Sequence, residues 1–178
     1  MNIRNSVCLT LVLFILSIGT ASFGQGRFTL STGLAVTEGL NVGLRYGWNE
    51  MQIGVTVGTF PYYEVIANPS NGETVVSASF YHHIYGEPRR GDRKPWFYKT
   101  GLSYMHAKES DVVFRKVTLN FLIGKELYIT DRFGLQICAG VAYMASSVYE
   151  DDGEVYEYTE DDPFHPAGEI SFFYHLGK

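Results

Sequence analysis

The chain has 178 residues, with 14 Lys and Arg against 19 Asp and Glu for a formal net charge of −5. An acidic chain with no basic stripe is a poor partner for nucleic acid, so that class of function is excluded. Of its two cysteines, Cys8 falls in a segment expected to be removed on export and Cys138 is left without a partner, so no intrachain disulfide framework is available.

The first segment in chain order reads as an export signal. Arg4 supplies a positive start, and Val7 to Ile18 is apolar apart from Thr10 and Ser17. Ser22-Phe23-Gly24 then offers small residues where a signal peptidase looks, which divides the chain into a Sec-type signal peptide, 1–24, and a mature domain, 25–178. The apolar run is shorter than the roughly 20 residues a spanning helix needs, and Cys8 stands where a lipidated cysteine cannot. Losing Arg4 leaves 13 basic against 19 acidic residues, a net charge of −6. No later apolar segment is long enough to span as a helix.

From residue 27 onward the polarity alternates with period two, and 19 Gly, 13 Tyr and 12 Phe favour strands over helices. Strands are expected near 27–36, 40–48, 51–60, 74–84, 96–107, 112–128, 132–146 and 167–177. In the second, Leu40, Val42, Leu44, Tyr46 and Trp48 share one face, and Asn41, Gly43, Arg45 and Gly47 share the other. About eight strands, an even number, allow an antiparallel sheet to close. Asn49-Glu50 and Thr130-Asp131 read as tight turns on the same side as a long basic connection, Tyr85 to Pro95. Thr37-Glu38-Gly39 and 108–111 read as short turns at the opposite, external mouth, and 61–73 and 147–166 as its larger loops.

Periodicity leaves two ways to turn these strands, since a soluble lipocalin-like barrel that binds a small ligand alternates equally well with its apolar face inward. Residue types choose between them. One face collects Leu30, Leu34, Ile53, Val55, Leu102, Phe121, Ile123, Ile137, Ile170 and Phe172 with no charge among them. The other is mostly Gly, Ser, Thr, Asn and Gln, where a water-facing surface would be rich in Lys and Glu. Small polar residues fit the crowded interior of an eight-stranded barrel, and large apolar ones fit lipid. The expected fold is therefore an all-β, closed antiparallel transmembrane β-barrel. Tyr46, Trp48, Trp96, Tyr98, Phe133 and Tyr174 fall near strand ends, where amphipathic rings sit at a membrane interface.

The stretches Arg93-Lys94-Pro95-Trp96-Phe97-Tyr98-Lys99-Thr100-Gly101-Leu102-Ser103-Tyr104 and Gly124-Lys125-Glu126-Leu127-Tyr128-Ile129-Thr130-Asp131-Arg132-Phe133-Gly134-Leu135 resemble the small outer-membrane β-barrel proteins of the PorT-like and OmpX-like kind. The resemblance implies a bacterial outer-membrane location, contact with outer-membrane lipid and lipopolysaccharide, and insertion by the barrel-assembly machinery. It implies no activity.

No catalytic or metal site and no cofactor is expected. His82 and His83 are adjacent on a strand and point to opposite faces, so they cannot ligate one ion in regular geometry. Ser103 and His106 also differ in parity, which leaves a lipid-modifying hydrolase without a Ser-His pair. Arg90-Gly91-Asp92 matches a cell-attachment tripeptide and carries no weight at three residues. Cys138 reads as a buried, inert thiol. In the lumen, Arg45, Lys99 and Lys116 are expected to pair with Glu126 and Glu169, because unpaired charges in a filled barrel are costly. Eight carboxylates, Glu150, Asp151, Asp152, Glu154, Glu157, Glu160, Asp161 and Asp162, crowd the 147–166 loop, where a protein partner or cation-bridged lipopolysaccharide could dock. The functional expectation is a non-enzymatic outer-membrane barrel that acts structurally or through its external loops. A lipid-modifying barrel enzyme and a narrow channel are the alternatives.

Overall fold

A computed structural model describes residues 27–60, 72–87, 93–109, 112–151, 154–157 and 162–176. The expected signal peptide and most of the 61–73 loop lie outside the described residues, as does the Arg90-Gly91-Asp92 tripeptide. The strands are β1 (Arg27–Ala35), β2 (Gly39–Trp48), β3 (Met51–Thr59), β4 (Gly72–Tyr85), β5 (Trp96–Glu109), β6 (Val112–Tyr128), β7 (Phe133–Asp151), β8 (Glu154–Glu157) and β9 (Phe164–Leu176).

Each strand pairs antiparallel with the next from β1 to β7, and β9 joins β7 to β1. The sheet thereby closes into a barrel of eight strands with no free edge along its wall, which satisfies every ladder without water. The tight turns at 49–50 and 129–132 and the β4–β5 connection lie at the end where β1 begins and β9 finishes, called here the terminal end. The other connections form the loop end.

The wall is inverted relative to a soluble barrel. Val55, Leu34 and Ile123 point outward at 57%, 60% and 62% exposure, while Arg45, Lys99 and Glu169 point inward at 5% or less. The apolar face is turned to the outside all around the closed sheet, far beyond the few hundred Å² that a water-soluble monomer exposes. The lipocalin-like arrangement is the reverse of this one. Inward glycines make the lumen passable for long side chains: a Cβ on Gly54 would meet the Arg45 side chain at 2.9 Å, and one on Gly43 would meet Ser31 Oγ at 2.8 Å.

Three expectations need correction. The 147–166 segment is not a plain loop: β7 runs on to Asp151 and turns back as β8, with Tyr149 opposite Tyr156, and β9 starts at Phe164. Extended pairing of β6 with β7 carries this hairpin beyond the rest of the wall, helped by a bulge that places Val117 opposite Ser146 and Thr118 opposite Met144. Glu38, read as part of an exposed turn, is buried. Arg93, read as part of a basic connection, is buried as well.

Candidate functional site

Strand register decides which inward side chains meet. Arg45 on β2, Lys99 on β5 and Glu169 on β9 come from distant strands, yet the lumen is narrow enough for them to touch. Lys99 Nζ donates to Glu169 Oε2 at 2.6 Å, and Arg45 Nη2 lies 3.9 Å from Glu169 Oε1. Gln136 Nε2 and Ser171 Oγ also donate to Glu169 Oε1, at 3.4 and 2.9 Å. Arg45 Nη1 in turn donates to Gln136 Oε1. The Tyr81 ring lies against both cations, 4.6 Å from the Arg45 guanidinium carbon and 5.6 Å from Lys99 Nζ. One carboxylate thus holds two cations, a geometry that tolerates burial because its remaining lone pairs are also taken.

Glu38 completes this cluster from the loop end, 3.8 Å from Lys99 Nζ. Sequence reasoning missed it because a turn residue has no face until the turn is folded. The signal was Gly39, whose positive φ of 63° folds the turn back over the mouth.

Glu126 belongs to a second cluster at the terminal end, not to the Arg45–Lys99 group. It accepts from the Tyr128 hydroxyl at 2.9 Å and lies 4.0 Å from His83 Nε2. The Lys94 carbonyl, 2.6 Å from His83 Nδ1, can only accept, so Nδ1 carries the proton and Nε2 accepts from Gln52 Nε2 at 2.8 Å. His175 bridges Thr29 Oγ1 at 2.7 Å and the Tyr128 hydroxyl at 3.2 Å. Arg93 folds in from the β4–β5 connection, donates to the Asn49 carbonyl at 2.8 Å, and fills the room that Gly47 leaves for want of a side chain. Burial pulls the Arg93 pKa below its ordinary value, against the opposing field of Glu126.

Among the described residues the buried charges balance, with Arg45, Arg93 and Lys99 against Glu38, Glu126 and Glu169. Tyr81, Phe97 and Leu122 form one buried apolar cluster in the lumen, and Phe173 packs against the rings of Tyr128 and His175. The expected pairing does not extend to Lys116. It faces the lumen at the loop end, only half-buried, and no carboxylate among the described residues pairs with it. The bulge beside it shifts β7, so that Lys116 stands opposite Ser147 and Met105.

The other singled-out residues are dispersed. His82 faces outward and shares a 2.9 Å hydrogen bond with the Tyr98 hydroxyl, while His83 faces inward. Ser103 is buried in the lumen and His106 is exposed. Cys138 is buried, and its thiol donates to Glu169 Oε2 at 3.9 Å. Of the eight carboxylates near the loop end, Glu150 pairs with Arg115 at 2.9 Å, and Asp162 accepts from the Phe164 amide at 3.2 Å. Glu154 accepts from the Tyr156 hydroxyl and holds that phenol above its ordinary pKa. Asp151 and Glu157 lie on the hairpin, opposite Glu154 and Val148, and Asp152, Glu160 and Asp161 lie outside the described residues.

No protein-family model matches the chain, and no curated protein matches it. Among solved structures it is similar to the N-terminal β-barrel domain of Pseudomonas aeruginosa OprF, at 13% identity over 85% of this chain and 96% of that one with a TM-score of 0.49. It is also similar to Neisserial surface protein A, NspA, at 14% identity over 85% of this chain and 94% of that one with a TM-score of 0.43.

Proposed function

We propose that this chain is a non-enzymatic bacterial outer-membrane barrel, of the PorT-like and OmpX-like kind, with a filled lumen and with its working surface at the loop end. The observation that carries the reading is the inverted wall: large aliphatic side chains all around the outside, and a charge-balanced, aromatic-packed interior. An apolar exterior of this extent is stable in lipid and not in water. Export by the Sec route, insertion by the barrel-assembly machinery and contact with lipopolysaccharide belong to the same reading. The β7–β8 hairpin, with its acidic side chains, is the surface offered to a protein partner.

The test is extraction and reconstitution. The mature chain should require detergent, should migrate on a denaturing gel as a compact species until boiled, and should give no stable conductance in a planar bilayer. A mature chain that remains soluble and monomeric without detergent would remove the outer-membrane reading. A steady open conductance would turn the function to a channel, and altered lipid A in expressing cells would turn it to an enzyme.

A further inference from the structure

A half-enclosed cavity of about 440 Å³ opens at the loop end of the lumen, above the charge clusters. That volume lies within the range of small-molecule sites. Two opposite charges line it, Glu73 on β4 and Lys116 on β6. Neither side chain has a hydrogen-bond or ion-pair partner among the described residues, and they do not pair with each other. In the central cluster, by contrast, Arg45, Lys99, Glu38 and Glu169 answer one another. Two half-buried charges of opposite sign that have no partner among the described residues and face one cavity favour a ligand that answers both.

Ser103 adds a further polar group to the lining. Ser103 Oγ accepts from Ser77 Oγ at 2.9 Å and from Asn120 Nδ2 at 2.8 Å, which leaves its own proton free to donate into the cavity it lines. Outside the lining, Asn120 Oδ1 and Ser147 Oγ are buried with no hydrogen-bond partner among the described residues, and Ser147 stands directly opposite Lys116. The remaining wall is mixed, with Val36, Phe60, Met105 and Pro166 beside Thr37, Thr118 and His165. Through the register, Glu73 lies opposite Ala107 while Lys116 lies opposite Met105, two strands away from β4 and one inward step lower. At about 4.8 Å per strand and 3.4 Å per residue, the two backbones stand roughly 12 Å apart. The two charges therefore face the cavity from different parts of its wall, which suits a ligand carrying opposite charges at its two ends.

We propose that this cavity binds a small zwitterion with apolar side chains, of the dipeptide class, its carboxylate held by Lys116 and Ser103 and its ammonium by Glu73. The site depends only on the loop end of the lumen and holds whichever membrane contains the barrel.

The experiment uses the full chain refolded in detergent micelles, with heat-modifiable migration confirming the fold of each variant. Leucyl-leucine is titrated by calorimetry against the protein and against empty micelles. Saturable binding is expected, weakened roughly tenfold or more by Lys116→Met and by Glu73→Gln. N-acetyl-leucyl-leucine should bind the wild type about as weakly as the free dipeptide binds Glu73→Gln, and should be indifferent to that substitution. Absence of saturable binding by the folded wild type up to about 10 mM overturns the proposal. So does binding that neither substitution weakens, or an acetylated ligand that loses as much affinity on Glu73→Gln as the free one.

Discussion

Glu169 is the acceptor on which the central lumen cluster converges, and Glu169→Ala is the sharpest perturbation of it. At an effective dielectric of about 20, its attraction to Lys99 Nζ across 2.6 Å is about 6 kcal/mol, and that to Arg45 Nη2 across 3.9 Å about 4 kcal/mol. Desolvation of the carboxylate offsets a large part of this. What remains after truncation is two buried cations, of which Lys99 keeps Glu38 at 3.8 Å and Arg45 keeps Gln136 and the Tyr81 ring. The expected loss is about 3 to 5 kcal/mol, the range for breaking a buried pair from one side. Urea unfolding of the barrel reconstituted in lipid vesicles, followed by heat-modifiable migration, reads it directly. Lys99→Met combined with Glu169→Leu should cost less than the sum of the two single changes, because the members of their ion pair are removed together and neither is left facing the other's empty place. A Glu169→Ala barrel within about 0.5 kcal/mol of wild type, in the range of an ordinary surface substitution, would refute the reasoning that the lumen is dry and its charges mutually dependent.

Three other outcomes are expected. Val55→Arg places a cation on the outer belt and should cost about 2 to 4 kcal/mol in a bilayer, measured by the same unfolding assay; no loss would mean that this face does not meet lipid. Gly33→Ala should destabilise the barrel by about 1 to 3 kcal/mol because the new methyl would run into the Ile170 carbonyl and the Ser171 backbone, which cannot give way. Gly168→Ala, whose nearest neighbour stands at 3.4 Å, should be tolerated, and equal losses at the two positions would contradict this account of the wall. Arg115→Ala removes an exposed pair with Glu150 and should change stability by less than about 1 kcal/mol at moderate salt, read from the denaturation midpoint.

Much of the wall was legible because a strand has a period of two, and a residue's face follows from its parity alone. Arg45, Lys99, Glu126 and Glu169 could all be assigned to one face in this way, and the structure places all four inside. Parity carries no information about which of them meet. Glu126 sits with Tyr128 and His83 instead of with a lysine, and Lys116 finds no acid among the described residues. Both outcomes depend on how far each strand is slid along its neighbour, and on the extra residue that the bulge inserts into β7. Turn residues were the weakest point: Glu38 and Arg93 have no parity to read, and each was drawn inward by a partner distant in sequence, Lys99 for Glu38 and the Asn49 carbonyl for Arg93.

The sequence by itself determined that the chain forms strands and which face of each is apolar, because hydrophobic alternation is a local property of the chain. The kinds of residue on the polar face, small and sparsely charged, also pointed to a crowded interior before any contact was known. The tertiary structure alone decided the contents of the lumen: the shared carboxylate of Glu169, the return of Glu38 and Arg93 into the mouths, and the meeting of Glu73 and Lys116 at one cavity. These are relations between residues tens to more than a hundred positions apart, and they exist only once closure of β1 on β9 fixes the register of every strand at the same time.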